Sequence, residues 1–292
     1  MMSMNETENA PVAVVTGASR GAGRGIAIAL GNHGCTVYLT GRSERAGDAN
    51  LPGTIHETAR AVTEAGGRGI AVRVDHANDQ DVKTLFEQIE REQGRLDILV
   101  NNACAIHDRL TSPGHFWEKP LEIVDMLDVG LRSSFVASYY GAPLMIKQRQ
   151  GLILFTSASG AVHYVFGPVY GAHKSGMDKF AADMAVDLKE SNVAAISIWM
   201  GALLTERLKR IIASDRERFG HLEGTTETPE FTGHVIWGLY NDPELMQLSG
   251  KTLIGAELGV KYGIRDQNGR QPTSYRDTHK VVPREQYPLI IR

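Results

Sequence analysis

Residues 11–30, PVAVVTGASRGAGRGIAIAL, decide the fold. The stretch opens as a run of small and β-branched apolar residues, turns through TGASRGAGRG, and continues as an apolar helix. A strand with no polar alternation is one buried on both faces, as in a parallel sheet. In the turn, glycine can take φ > 0 and lets a ligand approach the main chain closely. The helix that follows offers free N–H groups and the positive end of its dipole. Strand, glycine turn and helix in that order suit the pyrophosphate of a dinucleotide. A tight turn with no ligand is the plainer alternative, because glycine punctuates many strand-to-helix junctions.

The same alternation repeats outward. CTVYLTGR (35–42) reads as a strand, TIHETARAVTEAG (54–66) as a helix ending at glycine, and RGIAVRVD (68–75) as another strand. Val82, Leu85, Phe86 and Ile89 mark one face of an amphipathic helix that runs into the strand LDILV (96–100). GLILFTS (151–157) and VAAISIW (193–199) are further strands, each beside a long helix. Alternating strands and helices predict an α/β fold: one doubly wound parallel sheet of Rossmann type, with helices on both faces. The polar start, residues 1–10, is expected to be loose, and 11–260 to form the one domain. After about residue 201 the pattern loosens. Residues 202–219 read as one amphipathic helix, 228–242 as a helix opened by Thr228 and Pro229, and LSGKTLIGAEL (248–258) as a last strand. Residues 202–230 are the expected lid, and 261–292 a polar, surface-hugging extension.

In dinucleotide-binding sheets an acid at the end of the second strand holds the ribose 2′-OH of NAD. Here that strand ends LTGRS, with Gly41 and Arg42 in the acid's place. Arg42, Ser43 and Arg20 are candidates to grip a 2′-phosphate instead. NADP(H) is therefore expected over NAD(H), although arginines are common on any surface.

Tyr170 and Lys174, in VYGAHKSG (169–176), stand i and i+4 on a helix whose core stripe is Met177, Phe180, Ala181, Met184 and Leu188. A phenol with pKa near 10 is a poor acid–base group at neutral pH, and an adjacent ammonium would lower that value. Tyr170 could then protonate an oxygen as hydride reaches the adjacent carbon. Thirteen residues earlier, Ser157 ends a strand at the sheet edge where doubly wound folds bind ligands, and could hydrogen-bond the same oxygen. A YxxxK pair alone is usually a solvated couple. With the serine and the glycine turn it becomes a catalytic constellation.

At these residues the chain resembles the short-chain dehydrogenase/reductase family, over roughly residues 11–260. TGASRGAG is similar to its cofactor turn, which implies Gly17, Ser19, Arg20, Gly21 and Gly23 at the phosphates. VRVD (72–75) implies Asp75 near the adenine. LVNNAC (99–104) resembles the NNAG motif and implies Asn101, Asn102 and Ala103 beside the adenosine ribose. Ser157, Tyr170 and Lys174 fall on the catalytic serine, tyrosine and lysine, and the last two also reach the cofactor. MGALLT (200–205) resembles the PGxxxT motif and implies Gly201, the Leu203 main chain and Thr205 at the nicotinamide carboxamide. VYLTGR, FWEKP, VGLR and the late YGIRD and NGR segments are most like the mammalian dehydrogenase/reductase member-one subgroup. Three positions depart from the family: Gly130 replaces a fourth catalytic residue, an asparagine that helps hold a water at the lysine; Cys104 replaces the last glycine of NNAG; Met200 replaces a proline.

Composition limits the remaining choices. Against 34 acidic residues stand 31 basic ones, a net charge of −3 with no long basic run, so nucleic acid and anionic membranes are poor partners. Two cysteines, Cys35 and Cys104, make no disulfide framework and suit a reducing compartment. No signal peptide is read at the start, no apolar run reaches membrane-spanning length, and the expected location is cytoplasmic. His107, Asp108, His115 and Glu118 form no recognised metal-ligand spacing, so no metal is expected. His163 and Tyr164 are candidates for the substrate pocket, with ordinary loop packing as the alternative; Phe116 and Trp117 could form a pocket wall, and His173 is expected to be structural. The reading is an NADP(H)-dependent reductase of a ketone or aldehyde, the resemblance suggesting steroid or xenobiotic carbonyls and a homodimer or homotetramer. The alternative is a protein that senses NADP(H) on the same fold without turnover.

Overall fold

Alternate side chains of the first strand, β1 (Val12–Val15), leave on opposite faces, and both faces are buried. Ala13 and Val15 enter one apolar cluster, Val12 and Val14 the other. This is the two-sided burial expected of a central parallel strand. The computed structural model describes residues 10–292, so the expectation for residues 1–9 lies outside the described residues. Six more strands join β1: β2 (Thr36–Gly41), β3 (Arg68–Arg73), β4 (Ile98–Asn101), β5 (Gly151–Ser157), β6 (Val193–Trp199) and β7 (Thr252–Ile254). They form one seven-stranded sheet in the order β3-β2-β1-β4-β5-β6-β7, and all six pairings are parallel. The winding reverses between β1 and β4, which opens a crevice at their C-terminal ends.

Helices cover both faces. On one lie α1 (Gly21–Asn32), α2 (Ile55–Glu64) and α7 (Pro229–Tyr240), contributing Ile26, Leu30, Val62, Phe231 and Val235 to that core. On the other lie α3 (Asp79–Gln93), α4 (Ser133–Gln148) and α5 (Pro168–Leu188), contributing Leu85, Phe86, Val136, Met177 and Ala181. Local chemistry fixes several ends. Thr54 and Glu57 form a capping box at α2, and Gly94, in the left-handed conformation, ends α3. Among the described residues no helix is long and apolar enough to cross a membrane.

Two expectations for the later chain need correction. The helix read across 202–219 is two: α6 (Glu206–Ser214) and a single turn at Arg216–Phe219. Asp215 breaks them apart with φ −152° and ψ 79°, and its carboxylate caps the second by accepting from the Arg218 N–H. The last strand is only three residues, Thr252–Ile254, paired with Ser197–Trp199, and it can run no further forward because β6 ends at Trp199. The chain turns at once into α8 (Gly255–Tyr262). Beyond it, α9 (Tyr275–His279) is held by Ser274 and Arg276, which both bind the Glu257 carboxylate. Tyr275 and Val281 pack against Ala161, Trp199, Ile254 and Ala256, so the extension covers the end of the sheet next to β5 and β6.

α1 and α7 approach closely enough that glycine is required. A Cβ on Gly233 would lie 2.6 Å from the Ala29 Cβ and 2.9 Å from the Ile26 main chain. Gly233→Ala is expected to destabilise by about 1–3 kcal/mol through overpacking. Gly224→Ala, which meets nothing within 4 Å, should stay within roughly 1 kcal/mol of wild type, both variants being read from urea unfolding.

Candidate active site

The crevice is braced by Thr16, at the end of β1. Its hydroxyl accepts the N–H groups of Asn102 and Ala103, each at 2.9 Å, and donates to the Val100 carbonyl at 3.2 Å. The Asn102 amide returns the contact by donating to the carbonyls of Thr16 (2.8 Å) and Gly17 (3.2 Å). Gly17 sits at φ +67°, where a Cβ would fall 2.7 Å from the Ala103 Cα. Asn102 and Ala103 thus shape the glycine turn from below. Asn101 points away, its amide donating to Ser138.

Above the turn, α1 begins without a side-chain cap from Arg20. Its Gly21 N–H is met instead by a carboxylate oxygen of Glu206, at 2.8 Å. Glu206 is the first residue of α6, remote in sequence, and acts as a stand-in anion where a pyrophosphate would lie. The cradle therefore fits a dinucleotide. Other contacts clasp α6 across the crevice: Arg207 pairs with Asp108 and donates to the Ile106 carbonyl, and Arg210 reaches the Asn50 carbonyl.

At the end of β2, Arg20 donates to Ser43 Oγ (2.9 Å) and to the Gly53 carbonyl (2.7 Å), and Arg42 lies 3.9 Å from Asp75. Arg20, Arg42, Ser43 and Asp75 therefore border the same end of the sheet. Ser19, almost fully buried, lies beside Gly41. Gly23 packs against the Gly17 carbonyl and the Asn102 amide. At the opposite end, Leu203 forms an isolated parallel bridge with Glu227. The Glu227 carboxylate accepts from the Gly201 N–H at 3.1 Å, and the Leu204 N–H reaches the Glu227 carbonyl. Thr205 Oγ1 accepts from Leu208 as the cap of α6, which leaves its O–H free to donate.

Ser157, Tyr170 and Lys174 converge at the end of β5. Ser157 Oγ is buried and donates to the Lys174 carbonyl at 3.2 Å; Lys174 Nζ donates to the Thr156 carbonyl at 3.1 Å and lies 5.6 Å from the Tyr170 ring centroid. Burial lowers the Lys174 pKa. The expected depression of Tyr170 does not follow from this geometry. Burial pushes the phenol above its ordinary value, with Tyr275 and Cys104 acting in the same direction, and Lys174 does not offset them. Cys104 is itself a half-buried thiol whose pKa desolvation raises, which suits a packing role.

Sequence reading missed several residues here. Asp178, one turn beyond Lys174, is buried and accepts from Ser197 Oγ (2.6 Å) and Trp199 Nε1 (2.9 Å), fixing α5 against β6. Its signal was available: an acid within an apolar stripe. Phe166, at φ +58°, lays its ring edge-on against Tyr170 at 5.2 Å. Lys119 ties this turn to the segment carrying Phe116 and Trp117 by donating to the Leu110 and Phe166 carbonyls. Tyr164 is 77% exposed, and His163 pairs with Ser159 Oγ at 3.0 Å. His107 accepts from Arg109, Asp108 pairs with Arg207, and Glu118 accepts from His115; among the described residues no three metal-ligating side chains converge.

Two tests follow from these contacts. Burial raises the Glu227 carboxyl from 4.5 to about 7. Its folded value exceeds the unfolded one, so its contribution to stability is whole below about pH 4.5 and is lost as pH rises through about 7. Glu227→Gln keeps the acceptor and removes the titration. Its stability relative to wild type should rise over that interval by on the order of 3 kcal/mol, read from urea unfolding at pH 5 and pH 8; a constant difference would contradict the assignment. Glu206→Gln should tighten ADP-ribose binding about two- to fivefold in calorimetry, because the competing charge at the helix terminus is gone. Weaker binding would mean that Glu206 supports the ligand.

The short chain dehydrogenase model matches residues 11–216. Human dehydrogenase/reductase SDR family member 1 is 39% identical over 285 residues, 94% of this chain and 88% of the human protein. The mouse protein of the same name is 40% identical over 275 residues, 90% and 85% of the two chains. The solved structure of a short chain dehydrogenase from Mycobacterium thermoresistibile matches with a TM-score of 0.74 at 25% identity, covering 90% of this chain and 92% of that one. With a parallel sheet, a glycine cradle and this degree of likeness, the chain belongs to the short-chain dehydrogenase/reductase family, oxidoreductases that work with a nicotinamide cofactor.

Proposed function

We propose that the protein reduces a ketone or aldehyde to an alcohol with NADPH. The observation that carries this reading is the convergence of Tyr170 with Ser157 and Lys174 beside the glycine cradle. A phenol held above its ordinary pKa keeps its proton at neutral pH, which is the form a reduction requires. When bound, the dihydronicotinamide supplies the hydride. Tyr170 gives its proton to the carbonyl oxygen. Ser157 turns its hydroxyl from the Lys174 carbonyl to that oxygen and orients it. Lys174 holds a ribose hydroxyl and favours the phenolate that proton transfer leaves behind. The lid formed by residues 202–230, clasped through Arg207 and Arg210, excludes water.

Preference for NADP(H) is supported by Gly41 and Arg42 where an acid would select NAD, with Arg20 and Ser43 alongside. An apolar carbonyl, of the steroid or xenobiotic kind, is supported by Phe166, edge-on against Tyr170, and by the exposed Phe116 and Trp117 on the segment that Lys119 ties to Phe166. A homodimer or homotetramer through α4 and α5 is supported by Phe135 and Tyr139, exposed and stacked on each other on α4, with Phe135 tilted against Phe180 of α5. Gly130 favours a second reading, an NADP(H) sensor without turnover, because no side chain at that position helps organise the lysine.

NADPH oxidation against quinones, aliphatic ketones, aldehydes and ketosteroids separates the two readings. Turnover is expected, with kcat about 10²–10⁴-fold lower in Tyr170→Phe and the NADPH preference about tenfold weaker in Arg42→Ala. Tight NADPH binding without turnover on any carbonyl would establish the sensor.

A further inference from the structure

Gly130 lies in a kink of the helical segment Leu127–Arg132, at φ +157° and ψ −78°. The kink is pinned: the Gly130 N–H donates to Ser133 Oγ at 3.0 Å, its carbonyl accepts from Ser134, and the Val129 carbonyl accepts from Ala105. What fills the space beside it is the imidazole of His173. A Cβ on Gly130 would fall 3.0 Å from His173 Nε2, 3.2 Å from its Cδ2 and 3.5 Å from Cys104 Sγ. The volume that a side chain at 130 would need has been taken by a side chain arriving from α5.

His173 is 1% exposed, and neither ring nitrogen has a protein partner among the described residues. It is three residues after Tyr170 and directly before Lys174, on the helix face that carries both. Burial and the Lys174 charge lower its pKa to about 2, so the ring is neutral, with one donor and one acceptor. The charged group acting on it is Lys174 of α5, and the Cys104 thiol from the segment after β4 borders the same space beside Gly130. Lys174 Nζ in turn has the Thr156 carbonyl as its protein acceptor. An aliphatic side chain would fill this space without leaving two buried polar atoms in need of partners.

Resting on the reductase reading, we infer that His173 is a positioning residue of the proton path: its imidazole enters over Gly130 and holds the water through which Lys174 recovers protons from solvent. The balance is one proton. Tyr170 gives it to the substrate oxygen, Lys174 returns one to the phenolate, the water at His173 returns one to Lys174, and solvent replenishes the water.

The test compares His173→Leu, which keeps the volume, with His173→Gln, which keeps a donor and an acceptor. His173→Leu should fold, bind NADPH within twofold of wild type, and lose about 10–100-fold in kcat, within the range of proton-transfer effects. Its kcat–pH profile should shift, and its solvent deuterium isotope effect should grow. His173→Gln should recover most of the loss. An unshifted pH profile in His173→Leu, or equal losses in the Leu and Gln variants, would overturn the inference and leave His173 a packing residue. A second readout is independent of turnover: in histidine-labelled protein without cofactor, magnetisation transfer from water to the His173 ring should be present in wild type and gone in His173→Leu. Its absence in wild type overturns the inference even if turnover is found, whereas failure of the reductase reading shows separately, as wild type inactive on every carbonyl.

Discussion

The site depends on one hydroxyl. Thr16 stands where the winding of the sheet reverses, and its side chain joins the ends of β1 and β4 by accepting two main-chain N–H groups and donating to a third residue. That places Ala103 so close beneath Gly17 that only glycine in a left-handed conformation can pass. The same joint brings the start of α1 to the crevice, where its Gly21 N–H meets the Glu206 carboxylate. The cradle is therefore a consequence of how two strands are joined.

The other side of the site, which carries Ser157, Tyr170 and Lys174, rests on a second joint, between α5 and the sheet. Asp178 binds Ser197 and Trp199 of β6, while Lys174 binds the Thr156 carbonyl of β5. These contacts are one helical turn apart and fix the rotation of α5 about its axis. Tyr170, one turn earlier, is aimed by the same constraint. Desolvation governs the electrostatics of this region: it raises Tyr170 and Asp178 and lowers Lys174 and His173.

The sheet was legible because its strands carry unbroken apolar runs, and the spacing of Tyr170 and Lys174 was legible because helix geometry is periodic. Residues 16–25 identified the cradle for the same reason: the chemistry is local. What was not legible is long-range or electrostatic. Nothing near Glu206 in sequence indicates that it will meet Gly21, 185 positions away. Glu227 likewise lies in a segment with no periodic pattern, and becomes a brace only when 201–205 folds against it. The break at Asp215 required knowing that an acid inside a helical pattern would cap the next turn instead. The direction of the Tyr170 shift depended on burial and on Tyr275 and Cys104, which arrive from remote segments and which a reading of the helix alone does not contain.

Glu206 at the start of α1 also bears on the ionic character of ligand entry. A bare helix terminus meeting a pyrophosphate gains a full electrostatic interaction, and salt weakens that gain steeply. Here one anion replaces another, so part of the charge is already compensated before the ligand arrives. Exchange of one anion for another at this point would make the hold on a dinucleotide draw comparatively more on hydrogen bonding and shape. Such a cleft keeps its affinity over a wider range of ionic strength than one that waits empty of charge.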